Sequence, residues 1–189
     1  YEPIYHARSR PPSAENISIQ RIVDLMKEVM STVYIVHTST AESVQIIQSA
    51  RVQGLPIYNE TCTHYLSLTE KKLEEKNGQL YICSPALRSE KDNEALWIGI
   101  ANGCLDTVGS DDAGVPTADR IRLSQGRFDK VPNGMPGIEP RLAILYTEGV
   151  MKGKISLPKL VSVTSTAPAK IFGLYPQKGH LGIGADADV

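Results

Sequence analysis

Val33-Tyr34-Ile35-Val36-His37 is a short β-branched run ending on a histidine, and Thr40-Ala41-Glu42-Ser43 follows it closely as a helix start. The helix so opened carries Val44, Ile46, Ile47, Ala50 and Val52, and Gly54 stops it. Leu55-Pro56-Ile57-Tyr58 then begins a second strand that ends near Thr61. Upstream, Ser13 or Asn16 is a candidate cap for a helix from about Ile17 to Met30, with Ile19, Ile22, Val23, Met26 and Val29-Met30 on one face. Downstream, past the charged stretch from Glu70 to Lys76, Gln79-Leu80-Tyr81-Ile82-Cys83 is strand-like. A helix is expected from about Ser89 to Asn102, then a strand at Leu105-Asp106-Thr107-Val108. Short apolar strands alternating with helices make an α/β chain of parallel strands joined by crossover helices.

The remainder differs in texture. Residues 111 to 137 are rich in Gly, Pro and Asp and are expected to form a long loop, a kind of segment that tends to be functional or disordered. Helices are expected at 138–151, 157–164 and 167–172. From Gly173 on, repeated glycines and the alternation His180-Leu181-Gly182-Ile183 suggest the beginning of a separate β element.

The 189 residues are 41% hydrophobic and 22% charged, with a net charge of −1. No basic excess points to nucleic acid or an anionic membrane. No apolar run approaches the roughly 18 residues of a membrane span. Three cysteines, Cys62, Cys83 and Cys104, make no disulfide framework, so a reducing cytoplasm is expected. The opening Tyr1-Glu2-Pro3-Ile4-Tyr5 reads as mid-chain.

Polar residues gather just past the strand ends: His37, Cys62 to His64, Ser84 and Asp111. In a barrel of βα units that face carries the chemistry, and in an open doubly wound sheet ligands also bind there. No Gly-x-Gly-x-x-Gly or Walker loop follows any strand, which weakens a nucleotide-binding reading. His37 and Asp111 are good ligand types for zinc and similar ions. On spacing alone a satisfied core histidine and a turn-forming aspartate are the plainer account, since two ligands do not make a site. Cys62 and His64 form a lone C-x-H with no second pair at zinc spacing, for which a buried thiol and a loop histidine are the bland explanation.

Read together, six segments alter that balance. They are Tyr34-Ile35-Val36-His37-Thr38-Ser39, Glu60-Thr61-Cys62-Thr63-His64-Tyr65-Leu66, Cys83-Ser84-Pro85-Ala86-Leu87-Arg88, Val108-Gly109-Ser110-Asp111, the stretch Val131-Pro132-Asn133-Gly134-Met135-Pro136-Gly137-Ile138-Glu139, and Pro168-Ala169-Lys170-Ile171-Phe172-Gly173-Leu174-Tyr175-Pro176. In this order they resemble the D-hydantoinase/dihydropyrimidinase family of the amidohydrolase superfamily, over essentially the whole chain. The resemblance implies the C-terminal half of a (β/α)8 TIM-type metal-dependent hydrolase barrel over residues 1–172. Residues 173–189 would begin the return into a small β-sandwich domain. It further implies two divalent ions, expected to be zinc, with His37 and Asp111 among their ligands and Asp111 also moving the proton to the leaving nitrogen. Ser84 and Asn133 resemble the positions whose main-chain groups hold the substrate, a small cyclic ureide or imide. A ring with alternating C=O and N–H suits fixed backbone donors and acceptors. The implied reaction is hydrolysis of 5,6-dihydropyrimidines or hydantoins to N-carbamoyl amino acids by attack of metal-bound hydroxide.

The resemblance gives His64 no metal role, because the family often has glutamine there, and Asp112, Ala113-Gly114 and Ala86 depart from its usual residues. The family's His-x-His, its bridging carboxylated lysine and a further histidine would lie upstream, so the chain is expected to be part of a longer polypeptide and inactive by itself. A cytoplasmic homotetramer is the expected assembly, with no nucleic-acid or membrane partner. The alternatives are an allantoinase- or dihydroorotase-like enzyme on the same barrel, or a non-catalytic collapsin-response-mediator-like assembly protein.

Overall fold

A computed structural model describes residues 1–188. The elements run α1 (Ile4–Arg8), α2 (Pro12–Val29), β1 (Val33–Ile35), α3 (Ala41–Val52), β2 (Ile57–Cys62), α4 (Thr63–Ser67), α5 (Glu90–Asn102), β3 (Thr107–Gly109), α6 (Thr117–Ser124), α7 (Arg141–Ile144), α8 (Leu157–Val161) and α9 (Ala167–Ile171). The three strands are parallel in the order β1-β2-β3, as the alternation of strand and helix required. β2 pairs with β1 through Ile57, Tyr58 and Asn59, then with β3 through Glu60, Thr61 and Cys62. That stagger tilts the strands into the arc of a (β/α) barrel, where each strand is displaced along its neighbour.

Local chemistry accounts for most element boundaries. Pro12 starts α2, because its missing N–H and fixed φ cost nothing at a first helical position. The helix therefore begins five residues earlier than Ile17, and neither Ser13 nor Asn16 caps it. Asn16 is instead buried inside α2, where its Oδ1 accepts from Thr40 Oγ1 at 2.7 Å and Ser43 Oγ at 2.9 Å. Thr40 caps α3 as expected, its hydroxyl accepting from Ser43 N at 3.0 Å. Ser89 and Asp92 form a reciprocal capping box at the start of α5.

Two expectations need correction. Residues 79–83 are not a strand: Gly78–Tyr81 is a 3-10 turn, followed by extended chain. Ile82 and Cys83 are buried and the three residues before them half-buried, but the carbonyls of the run are spent elsewhere. Leu80 O accepts from Arg120 at 2.8 Å, Ile82 O from Gly134 N at 3.0 Å, and Cys83 O lies 2.7 Å from His6 Nε2. A strand ladder would need those same groups. Residues 111–137 are not a continuous loop either, for they contain α6 and a 3-10 turn at Phe128–Lys130. Buried Arg120 anchors α6 to the 80s segment and to Gly134 O.

Residues 141–150 and 157–171 are helical as expected, but each contains a π-helical turn, Leu145–Val150 and Ser162–Thr166. The first lies over Trp97, where a Cβ on Gly149 would stand 2.8 Å from the indole ring. After Gly173 the described residues form turns and no strand.

The main core packs α5 and the helices after it on the strands through Leu87, Leu96, Trp97, Ile100, Leu105, Val108 and Leu145. A second cluster seals α2 and α3 against β1 and β2 through Val23, Met26, Ile35, Ile47, Ala50 and Ile57. Each fully buried aliphatic of this kind contributes about 1.5–3 kcal/mol. On the other face of the strands a polar layer crosses all three. Tyr34 Oη donates to Glu60 at 2.7 Å and lies 2.6 Å from Thr107 Oγ1. Burial pushes the Tyr34 phenol above its ordinary range. Among the described residues no helix is long and apolar enough to cross a membrane.

Candidate metal centre

Among the described residues, four that are not glycine have left-handed backbone: Met30, His37, Gln125 and Asp111. Met30 and Gln125 end helices, where that conformation is routine. His37 (φ 44°) and Asp111 (φ 45°) instead follow the ends of β1 and β3, and they are the two ligands expected from the sequence. Histidine and aspartate tolerate this conformation better than most residues, and backbone of this kind concentrates at functional positions. The surrounding bonds hold both turns. Thr38 N donates to Glu60 O at 2.7 Å, and Thr61 Oγ1 donates to Thr38 O at 2.7 Å, fastening the end of β1 to β2.

The family-like segment 131–138 lies across the end of β3. Asp112 Oδ1 accepts from Gly137 N at 2.7 Å and Ile138 N at 3.3 Å, and Ala113 N donates to Met135 O at 2.9 Å. Gly134 and Gly137 are required there. A side chain at either would overlap Ala113 or the Ser110 carbonyl, and Gly134 also has φ 110°. Asp112, a departure from the family pattern, thus fastens this loop.

Ser84 and Asn133, 49 residues apart, are brought together: Ser84 Oγ donates to Asn133 Oδ1 at 3.2 Å. Both are exposed. His37, Thr38, Ser84, Pro85 and Arg88 line one cavity of about 580 Å³ that runs along β1 and α2. An expected ligand and an expected substrate position therefore share one open space. In its wall, Arg88 donates to Ser39 Oγ at 3.0 Å and Arg10 O at 2.7 Å, and pairs with Glu15 at 3.3 Å.

Beside Asp111 the structure gathers two residues for which the plainer reading of the sequence was a buried thiol and a loop histidine. A thiol from Cys62, a ring nitrogen from His64 and a carboxylate oxygen from Asp111 all lie within 4.8 Å of one another. Cys62 is the last residue of β2 and His64 lies in the first turn of α4, so the strand end and helix start point both at the β3 end. His64 is buried, packs at a 57° tilt against Tyr65 with 4.2 Å between ring centroids, and leaves Nε2 without a hydrogen-bond partner. Burial lowers its pKa to about 4, opposed by the Asp111 carboxylate and assisted by His37, so it is neutral at neutral pH. Burial likewise pushes the Cys62 thiol well above its ordinary range. The C-x-H spacing was the only sign of this cluster in the sequence. His37 is not one of the three grouped ligands.

The Amidohydrolase family model matches residues 13–189. D-hydantoinase of Geobacillus stearothermophilus is 44% identical over 190 residues, covering all of this chain and 40% of the relative. D-phenylhydantoinase of Escherichia coli O1:K1 is 41% identical over 188 residues, covering 99% of this chain and 41% of the relative. The crystal structure of dihydropyrimidinase from Brevibacillus agri superposes with a TM-score of 0.96 at 44% identity, over 98% of this chain and 41% of that one. The chain thus spans about 40% of the length of the curated relatives it matches. With strands, crossovers and strand-end residues in this arrangement, and a family model covering nearly all of it, the chain belongs to the amidohydrolase family.

Proposed function

We propose that this chain supplies part of the active site of a cyclic amidohydrolase that opens dihydropyrimidines or hydantoins to N-carbamoyl amino acids. The observation that carries the reading is the pair His37 and Asp111, each held in left-handed backbone at a strand end of the face where such barrels do chemistry. The names of the relatives supply the substrate class.

The amidohydrolase family binds divalent metal, and the residues present suit such an ion. They offer the imidazole of His37 and the exposed carboxylate of Asp111, each held in left-handed backbone past a strand end. His37 and Asp111 would be ligands in a pair of ions, expected to be zinc, completed by residues outside this chain, among them a carboxylated lysine. The metal, when bound, supplies Lewis acidity at the scissile carbonyl and a water of lowered pKa.

The chain's own groups do the rest. Asp111 is exposed at the end of β3, and its carboxylate accepts the proton of the attacking water and returns it to the nitrogen released on ring opening. Main-chain groups at Ser84 and Asn133 read the alternating C=O and N–H of the ring, and the Ser84–Asn133 bond keeps the two segments in register. Residues 1–172 form the barrel part and 173–189 lead back toward a small β domain. Three free cysteines fit a cytoplasmic setting, and assembly as a homotetramer is part of the reading. The test is ring opening of dihydrouracil and a 5-substituted hydantoin by the full-length protein, followed by loss of ring absorbance. Turnover should vanish on chelation and return with zinc. Turnover by rigorously metal-free protein, or no ring opening of either compound by metal-loaded protein, would refute the proposal.

A further inference from the structure

The cluster at the ends of β2 and β3 contains more donors than the proposed hydrolysis uses. Cys62 and His64 take no part in positioning the ring or moving its proton, yet their donor atoms and that of Asp111 lie within 4.8 Å of one another. A tetrahedral ion bound at about 2.0–2.3 Å sets its donors roughly 3.4–3.8 Å apart, so a modest side-chain adjustment closes the three on one ion. His64 is only 4% exposed and its Nε2 has no hydrogen-bond partner, whereas in proteins generally buried polar nitrogens are satisfied in nearly every case. Hydrogen bonding within the chain thus leaves room for an outside ligand. Thiolate with imidazole and carboxylate is a borderline-soft donor set, which selects zinc-like ions over magnesium or calcium.

We infer that Cys62, His64 and Asp111 form a thiolate-containing site for a thiophilic divalent ion. The inference rests on the proposed function only in taking Asp111 as a metal ligand. Binding converts the Cys62 thiol to thiolate and releases one proton to solvent for each ion held. His64 coordinates through its lone pair, and solvent fills the remaining position on the exposed Asp111 side. An ion here engages the carboxylate that the hydrolysis uses to carry its proton. The site therefore sits in competition with, or in series with, that chemistry.

Cobalt(II) is the probe, added to full-length protein stripped of metal, because a cobalt–thiolate bond gives a near-ultraviolet charge-transfer band that nitrogen and oxygen ligands do not. The wild-type protein should develop this band to saturation at one thiolate-ligated ion per chain, with release of a proton. Cys62→Ser should abolish it, His64→Ala should weaken cobalt binding at this site about tenfold or more, and Cys104→Ser should leave it unchanged. A wild-type cobalt protein without the band overturns the inference whether or not any variant folds, as does a band that survives Cys62→Ser. Cobalt binding with ring opening but no thiolate band sinks this site and leaves the proposed function standing. Failure of both ring opening and stoichiometric binding sinks the two together.

Discussion

Replacing Arg88 by Met removes the cationic half of a nearly dry ion pair, since the side chains of Arg88 and Glu15 are only 5% and 9% exposed. Three bonds go with it: to Ser39 Oγ at 3.0 Å, to Arg10 O at 2.7 Å and to Glu15 Oε2 at 3.3 Å. Removing one partner of a buried pair costs about 3–5 kcal/mol, chiefly because the other charge is left desolvated. Here Glu15 keeps the Ser39 amide at 2.9 Å and the Ser39 hydroxyl. The lower end, about 3 kcal/mol, is therefore expected. Met preserves most of the volume, so little of the loss comes from a cavity. Adding Glu15→Gln should restore part of it, because the charge that had been stranded is gone. The assay is urea unfolding of wild type, both single variants and the double variant, with the midpoints read at constant slope. A coupling of about 1–3 kcal/mol is expected between the two positions. A cost below about 1 kcal/mol for Arg88→Met, or single effects adding to within about 0.5 kcal/mol, would refute the account of this network as a buried electrostatic clamp.

His6 should make the fold acid-sensitive. It is buried, its Nε2 lies 2.7 Å from Cys83 O, its Nδ1 lies 3.3 Å from the Arg10 guanidinium, and burial lowers its pKa from 6.5. The unfolded chain therefore binds the proton first. Stability is full above pH 6.5 and falls as pH drops below it, by up to about 1.4 kcal/mol per unit. Urea midpoints of wild type and His6→Gln between pH 7.5 and 5.5 should diverge in slope, and parallel curves would count against this assignment. Gly149→Ala places a methyl 2.8 Å from the Trp97 ring and 3.0 Å from Ile155. Overpacking of that kind should destabilise by about 1–3 kcal/mol, and an unchanged unfolding midpoint would show that the π-turn yields freely. Asp111→Asn keeps a residue that tolerates the left-handed turn but cannot carry the proton. Its kcat at full metal occupancy should fall by roughly 10²–10⁴-fold, and recovery on adding zinc would remove the proton-transfer role.

The alternation of short β-branched runs with capped helices was enough to specify the parallel α/β arrangement. Each signal acts locally: Thr40 and Ser89 satisfy amides within three residues, and Gly54 permits a turn at its own position. The strand ends carrying His37 and Asp111 were legible for the same reason, and the order of motifs along the chain pointed to the family. What the sequence could not decide are matters of competition between distant groups. Residues 79–83 have a strand's composition, but His6, Arg120 and Gly134, far away in the chain, claim the carbonyls a ladder would need. Asn16 has a cap's chemistry, yet α3 packs against it and turns its side chain to Thr40 and Ser43. The C-x-H pair of Cys62 and His64 was visible but incomplete in the sequence, because the third donor of the cluster enters from the end of β3, 47 residues beyond His64 by their numbers. Local rules follow from neighbours along the chain and are written in the sequence. Which distant group reaches a buried donor first is settled only when the strands are laid side by side.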